Sequence, residues 1–143
     1  MARATFGMGC FWAAEEVFRT VPGVTATEVG FSNGQDAGVT QAQVFSGEAG
    51  HAEVVVVDFD PARVSFTALL EHFWAGHDAT VQVKPIVRSA IFFHDPGQQA
   101  EAETSRAARP QAVATEIAPV GRFWRAPEKD QLYVCRHAAQ AAQ

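Results

Sequence analysis

Three residues have types and neighbours that could support chemistry on sulfur. Cys10 lies in "GMGCFW", next to two aromatic residues, and Glu53 lies in "GHAEVVVV", at the start of a run of valines. Cys135, in "YVCRH", is the only other cysteine of the chain. A thiolate is a nucleophile, and a carboxylic acid held partly out of water can donate a proton. The residues indicate nucleophilic or redox chemistry at a thiol, assisted by a general acid.

The sequence around Cys10 predicts that a strand becomes a helix at this residue. Residues 3–9 form a short apolar run typical of a strand, and apolar residues recur at helical spacing from 11 to 21, before Pro22. Cys10 would then lie at the first turn, where free backbone N–H groups and the helix dipole favour an anion. The alternative is an unreactive core thiol, because cysteine is among the residue types most often buried.

The sequence around Glu53 predicts the strongest strand of the chain, over residues 52–60. Its consecutive valines indicate burial on both faces of a sheet. A carboxyl group at the start of such a strand would be partly desolvated, which would raise its pKa and suit it to act as a general acid. The alternative is an ordinary solvated carboxylate at a strand end.

The elements that must position these residues follow a βαββαβ order through residue 94. Further strands are predicted at 24–31, 88–94 and 112–120, and further helices at 66–77, with Ser65 as its N-cap, and at 96–108. The order predicts an α+β fold with a ferredoxin-like core, in which two helices pack on one sheet. We expect a single domain over 1–143, with about 134–143 as a flexible tail.

Composition excludes several classes of function. The chain has 143 residues and a net charge of −5, which fits one domain and argues against nonspecific binding of nucleic acid. No apolar stretch approaches the ~20 residues that span a bilayer, and the first residues lack the apolar core of a signal peptide, so we expect a cytoplasmic location. The five histidines show no metal-binding spacing and "GMGC" lacks the lysine of a phosphate-binding loop. No metal or nucleotide cofactor is predicted.

Four segments taken together resemble the A-type peptide methionine sulfoxide reductases. They are "GCFWAAE", "SGEAGHAEVV", "HFWAGHD" and "RSAIF", and their order and approximate spacing agree with that family over roughly residues 5–133. The resemblance implies an α+β fold around a ferredoxin-like core. It also implies thiol-dependent reduction of methionine S-sulfoxide, free or protein-bound, through a cysteine sulfenic acid. Thioredoxin or another thiol would be the reductant, with no other cofactor.

The resemblance also implies roles for individual residues. Cys10 would be the nucleophile and Glu53 the proton donor, while Phe11 and Trp12 would form the pocket for the substrate methyl group. Cys135 would be the resolving cysteine, since in many family members that residue lies in a mobile C-terminal segment. The residues alone leave open that Cys135 is incidental.

The chain departs from the family pattern where the pocket should hold the sulfoxide oxygen. Gln41, in "QAQVFSG", stands at a position where the family has a tyrosine, and residues 81–87, "VQVKPIV", form a shorter loop without the family's second tyrosine. Tyr133 is the only tyrosine of the chain, and in "KDQLY" Asp130 replaces the family's histidine. We assign Gln41, together with His51 of "GHAE", to substrate binding.

The departures leave three functions to compare. The lost hydroxyl groups could leave a slower methionine sulfoxide reductase, or the opened pocket could accept a different oxidised sulfur or thiol substrate. The third alternative is a protein that binds a small ligand without turnover. Cys10 and Glu53 argue against the third alternative, because a protein that only binds needs neither a nucleophile nor a proton donor.

Overall fold

The structure, a computed structural model, describes residues 1–141 of the 143. Its strands are β1 Ala2–Gly7, β2 Val24–Ser32, β3 Ala52–Phe59, β4 Ala90–Phe93, β5 Glu116–Pro119 and β6 Trp124–Arg125. Its α-helices are α1 Phe11–Arg19, α2 Gln41–Ser46, α3 Phe66–Ala75, α4 Pro96–Ala107 and α5 Tyr133–Ala141. Two short 3₁₀ turns, Pro85–Val87 and Glu128–Asp130, complete the order.

The strands form one sheet in the order β5-β4-β1-β3-β2-β6. The four central strands pair antiparallel throughout, and α1 and α3 make the connections from β1 to β2 and from β3 to β4. These six elements are the ferredoxin-like core, so the predicted α+β fold is confirmed. β5 extends one edge parallel to β4, and the two-residue β6 extends the other edge antiparallel to β2.

The valine run of β3 packs on both faces of the sheet. Val55 and Val57 belong to the large core cluster that also contains the buried residues of α1 and α3, whereas Val54 packs with Phe92 on the opposite face. That opposite face is covered by the segment around Phe123. Burial of both faces explains why the strand has no polar alternation, and it confirms the prediction from the valines.

The helix caps explain where most of the helices begin. Ser65 accepts a hydrogen bond from the backbone N–H of Ala68, which confirms the predicted N-cap of α3. Thr40 and Gln43 form a reciprocal capping box that starts α2, a helix that the sequence did not predict. A six-residue helix has too few residues for a clear apolar periodicity, so its cap was the only available signal.

The C-terminal region differs from the prediction. Residues 133–141 form helix α5, where the sequence predicted a flexible tail from about residue 134. Residues 142–143 of that tail lie outside the described residues. None of the helices within residues 1–141 is both long enough and apolar enough to cross a membrane.

Candidate active site

The site lies at one end of the central strands, where the last residue of β1 is beside the first residues of β3 and β4. The antiparallel register places Phe6 opposite Val55 and Gly7 opposite Ala90. The residues that follow β1 therefore run beside the first residues of the two neighbouring strands. Gly7 is required there, because a Cβ atom at this position would lie 2.9 Å from the carbonyl oxygen of Arg88.

Cys10 is the N-cap residue of α1. Its backbone is extended, with φ −60° and ψ 128°, and its carbonyl oxygen accepts the first helical hydrogen bond from Ala14 N–H at 3.1 Å. The side chain is exposed and makes no capping hydrogen bond. The helix thus begins immediately after Cys10, and the exposed thiol contradicts the alternative of a buried, unreactive cysteine.

Glu53 contacts the residue next to the thiol. Its Oε1 atom accepts a hydrogen bond of 3.0 Å from the backbone N–H of Phe11, the first residue of α1. Burial raises the pKa of Glu53 above its ordinary value, the hydrogen bond from Phe11 opposes this effect, and the negative charge of Asp130 adds to it. Oε2 has no hydrogen-bond partner among the residues that the structure describes. A protonated Glu53 can therefore keep its bond to Phe11 through Oε1 while Oε2 offers a proton.

The two aromatic residues after Cys10 have different surroundings. Phe11 is buried, with 6% of its surface exposed, and its ring meets Phe31 edge-on at 5.3 Å. Trp12 is half-buried, stacks on Tyr133 with ring centroids 3.7 Å apart, and donates from Nε1 to Oδ1 of Asp130 at 3.1 Å. Trp12 thus offers more ring surface to a methyl group than Phe11 does.

Helix α5 is held against α1 by a buried acid that the sequence interpretation missed. Glu15 has only 2% of its surface exposed, and its carboxylate accepts from the backbone N–H of Leu132 at 2.7 Å and from the hydroxyl of Thr27 at 2.8 Å. Leu132 has a positive φ of 52°, which turns the chain into α5. The sequence did contain a sign that Glu15 is buried, because residue 15 falls on the apolar stripe that residues 11, 14 and 18 form on this amphipathic helix.

Gln131 anchors the turn before α5 and was also missed. Its side-chain amide bonds both the N–H and the carbonyl of Val29 in β2, and also the carbonyl of Ala126. The contacts with Val29 join residues 102 positions apart. No local pattern in the sequence could have identified them.

Cys135 lies on α5 and is partly exposed, and both cysteines are free thiols in this structure. Tyr133, two residues before Cys135, stacks on Trp12, so α5 begins beside the first turn of α1. The structure therefore places Cys135 beside α1 without joining it to Cys10.

His51 is completely buried, so its ring offers no surface to a substrate here. Its Nε2 atom lies 2.8 Å from Oδ1 of Asp36, which also accepts from Trp124 Nε1 at 2.8 Å. Nδ1 has no hydrogen-bond partner within the described part of the chain. A proton on Nε2 facing the carboxylate leaves Nδ1 as an acceptor, and Gly34 lies so close to the ring that a Cβ atom at this position would overlap Nδ1. His51 thus ties the start of β3 to the loop after β2.

Gln41 and residues 81–87 lie on an exposed rim. Gln41 is the exposed first residue of α2. In the shortened loop, Val81 and Val83 expose 51% and 47% of their surfaces, and Ile86 packs closely against Gly47 at the end of α2. These two departures from the family pattern therefore face solvent at the two ends of α2, while Glu53 binds the backbone N–H of the residue next to Cys10.

Within residues 1–141, no group of three His, Cys, Asp or Glu side chains could hold a metal ion. At this end of the strands the structure presents the Cys10 thiol at a helix N-terminus, the partly buried Glu53 carboxyl group that contacts the next residue, and the stacked indole of Trp12. This arrangement can supply a sulfur nucleophile, a proton and an apolar surface.

Comparison with known proteins agrees with this chemistry. A family model described as peptide methionine sulfoxide reductase matches residues 2–143. The peptide methionine sulfoxide reductase MsrA of Methanoculleus marisnigri is 45% identical over 148 residues, which cover 95% of this chain and 90% of that protein.

Solved structures show the same fold. Methionine sulfoxide reductase A of Corynebacterium diphtheriae superposes with a TM-score of 0.82 at 29% identity, covering 95% of this chain and 74% of that one. Mxr1 of Saccharomyces cerevisiae in its reduced form gives a TM-score of 0.83 at 25% identity, covering 96% and 86%. The chain belongs to the peptide methionine sulfoxide reductase family, whose members are oxidoreductases that reduce methionine sulfoxide to methionine.

Proposed function

We propose that the chain reduces the S epimer of methionine sulfoxide with Cys10 as the nucleophile and Glu53 as the proton donor. The observation that carries this proposal is the 3.0 Å hydrogen bond from Phe11 N–H to Glu53, together with the raised pKa of Glu53. The bond places a carboxyl group one residue from the thiol. The raised pKa keeps part of that carboxyl group protonated at a pH where an ordinary glutamate is ionised.

The first step forms a bond between Cys10 Sγ and the sulfoxide sulfur. The sulfoxide oxygen becomes more basic as the attack proceeds, and Glu53 Oε2 transfers a proton to it. The hydroxyl group then passes to Cys10 Sγ, the bond between the two sulfur atoms breaks, and methionine leaves. The balance is one thiol and one sulfoxide giving one sulfenic acid and one thioether, so Cys10 is oxidised by two electrons and methionine sulfoxide is reduced by two.

The half-buried Trp12 supports binding of the methyl group. Its ring is fixed on one side by the stack with Tyr133 and at Nε1 by Asp130, so little conformational freedom remains to be lost on binding. A methyl group beside sulfur is apolar and fits an indole face. Phe11 contributes to the floor of the pocket through its buried ring, and Gln41 is the donor that could reach substrate from the rim.

The sulfenic acid is then reduced by thiols. In the proposed route Cys135 attacks Cys10 Sγ, water leaves, and thioredoxin or another dithiol reduces the resulting disulfide. A disulfide requires the two Cα atoms to lie within roughly 7 Å of each other, and we infer that α5 moves relative to α1 to reach this distance. That movement breaks the stack of Tyr133 on Trp12 and the bond from Leu132 N–H to Glu15. The release of α5 would thereby clear one side of the site for the reductant.

A second candidate is the reduction of another oxidised sulfur compound at the same thiol. The exposed Gln41 and the shortened loop 81–87 favour it, because the tyrosine hydroxyls of the family pattern are absent from this rim. Both candidates use Cys10 and Glu53 in the same roles. The two candidates differ only in which substrate the rim of Gln41 and residues 81–87 allows to reach Cys10.

The test is incubation with separate S and R epimers of methionine sulfoxide, free and within a short peptide, with dithiothreitol as reductant. We expect methionine from the S epimer only. The matched control is Cys10→Ser, which keeps the size of the side chain but cannot form a sulfenic acid. Reactivity of Cys10 with other oxidised thiols but no methionine from either epimer would favour the second candidate.

A further inference from the structure

A second acidic side chain, Asp130, lies next to the pair formed by Cys10 and Glu53. Its Oδ1 atom accepts the hydrogen bond from Trp12 Nε1 at 3.1 Å, and the side chain is partly buried. Asp130 closes the turn Glu128–Asp130 and is followed directly by Gln131, which is locked to β2. The position of Asp130 is therefore fixed by the fold and does not depend on a substrate.

Asp130 and Glu53 contact consecutive residues of the first turn of α1. Glu53 binds the backbone N–H of Phe11, and Asp130 binds the indole of Trp12. Two partly buried carboxyl groups that contact the same turn of a helix disfavour ionisation of both at once. Burial has the largest effect on Glu53 and raises its pKa, the hydrogen bond from Phe11 N–H lowers it, and the negative charge of Asp130 raises it.

The other groups around Glu53 do not offset this charge. From α1 comes the N–H of Phe11, the residue after Cys10, and the residue opposite Glu53 on β2 is the uncharged Phe31. At the start of β4, the guanidinium of Arg88 is occupied by Glu116 and by backbone carbonyls. Lys129, beside Asp130 in the turn, is exposed to water, where its charge is screened.

We propose that Asp130 is a positioning residue that fixes the Trp12 ring through its hydrogen bond and, through its charge, holds on Glu53 the proton that the sulfoxide oxygen receives. This inference rests on the proposed function of Glu53. It gives a role to a residue that differs from the histidine of the family pattern. It also provides a way for this chain to keep its acid protonated although the family's tyrosines are missing from the pocket.

Two variants separate the two parts of the proposal. Asp130→Asn has nearly the same shape and keeps an oxygen acceptor for the indole, but it removes the charge. Asp130→Ala removes both. Glu71→Gln, an exposed acid on α3, is the matched control for the loss of one negative charge elsewhere in the protein.

Kinetics against pH is the first measurement. We expect the alkaline limb of the kcat/KM profile to move to lower pH in Asp130→Asn, because Glu53 then loses its proton more readily. At pH values on the alkaline side of the profile, turnover of this variant should be severalfold lower than that of the parent chain. Asp130→Ala should show the same movement together with a raised KM, because the indole is no longer held. Glu71→Gln should leave the profile unchanged. An alkaline limb that stays in place in Asp130→Asn overturns the charge part of the proposal.

The second measurement does not depend on turnover. Titration of the Glu53 carboxyl carbon by ¹³C NMR in the reduced protein should give a lower pKa in Asp130→Asn than in the parent chain. The indole N–H signal of Trp12, one of three tryptophans, should stay near its position in Asp130→Asn and move in Asp130→Ala. An unchanged indole signal in Asp130→Ala overturns the positioning part. If the parent chain releases no methionine, the titration still decides whether Asp130 acts on Glu53, so the two failures are distinguishable.

Discussion

The Cys10–Glu53 junction and the rim formed by Gln41 and residues 81–87 are built differently. The junction is defined by a helix start, a backbone-to-carboxyl hydrogen bond and a strand buried on both faces. The rim is exposed, and Gln41 and the two valines of the loop face solvent. The residues to which we assign bond making thus lie beside the core. Two of the departures from the family pattern, Gln41 and most of the loop 81–87, face solvent, whereas the third, Asp130, is partly buried beside Trp12.

Replacement of the nucleophile should have the largest effect. Cys10→Ser removes the sulfur atom that we propose accepts the sulfoxide oxygen, so methionine release should fall to the uncatalysed background with dithiothreitol or with thioredoxin. The measurement is methionine quantification from the S epimer. Residual turnover well above background would mean that another group is the nucleophile and that the Cys10–Glu53 junction is not the catalytic site.

Removal of the other thiol should affect only recycling. Cys135→Ser should lose thioredoxin-driven turnover while keeping one round of methionine release, with sulfenic acid accumulating on Cys10. Dithiothreitol, being small, should still recycle the variant by reacting with Cys10 directly. Mass spectrometry after trapping of the sulfenic acid measures the accumulation. Unchanged thioredoxin-driven rates would make Cys135 a bystander and would remove the need for α5 to move.

Replacement of the proton donor tests the junction itself. Glu53→Gln can keep the hydrogen bond from Phe11 but cannot transfer a proton, so kcat/KM should fall by ~10²-fold or more, the usual scale for general acid catalysis. Glu48→Gln, an exposed acid in the loop before β3, is the matched control and should leave kcat/KM unchanged. Equal rates in Glu53→Gln and the parent chain would contradict the assigned role.

The same substitution should have an opposite effect on stability. A carboxyl group whose pKa is raised by folding contributes its stability below the unfolded pKa and loses it as the pH rises through the folded pKa. Urea denaturation of Glu53→Gln should therefore match the parent at a pH below 4.5, the ordinary glutamate value, and show a higher midpoint at neutral pH. A midpoint below that of the parent at neutral pH would show that the ionised carboxylate stabilises the fold.

The junction could be predicted from sequence because local signals define it. The valines marked β3, and the change from an apolar run to helical spacing marked the start of α1 at Cys10. The core strands were placed correctly, although β4 is shorter than predicted. Arg88 and Ser89 use their side chains in loop contacts before the strand begins.

The C-terminal surroundings of the site could not be predicted, because long-range contacts create them. The two-residue β6 is too short for any periodicity, and α5 is positioned by Glu15 and Gln131. Asp130 was noted only as a departure from the family's histidine. Its bond to Trp12 joins residues 118 positions apart, and only the folded chain reveals it.

The smallest effects are expected at the rim. Gln41 is exposed, and an exposed hydrogen bond contributes about 0.5–1.5 kcal/mol, so Gln41→Ala should change kcat/KM by less than about tenfold. Gln41→Tyr restores the hydroxyl of the family pattern, with Gln41→Phe as the control that has the ring without it. Because solvent competes for the hydroxyl, we expect Gln41→Tyr to exceed Gln41→Phe by less than about tenfold with the S epimer. A dehydrated donor aimed at developing charge is worth about 10²–10³-fold. A gain of that size would show that substrate closes the rim over Gln41, and the contrast between an ordered junction and an open rim would then hold only for the free protein.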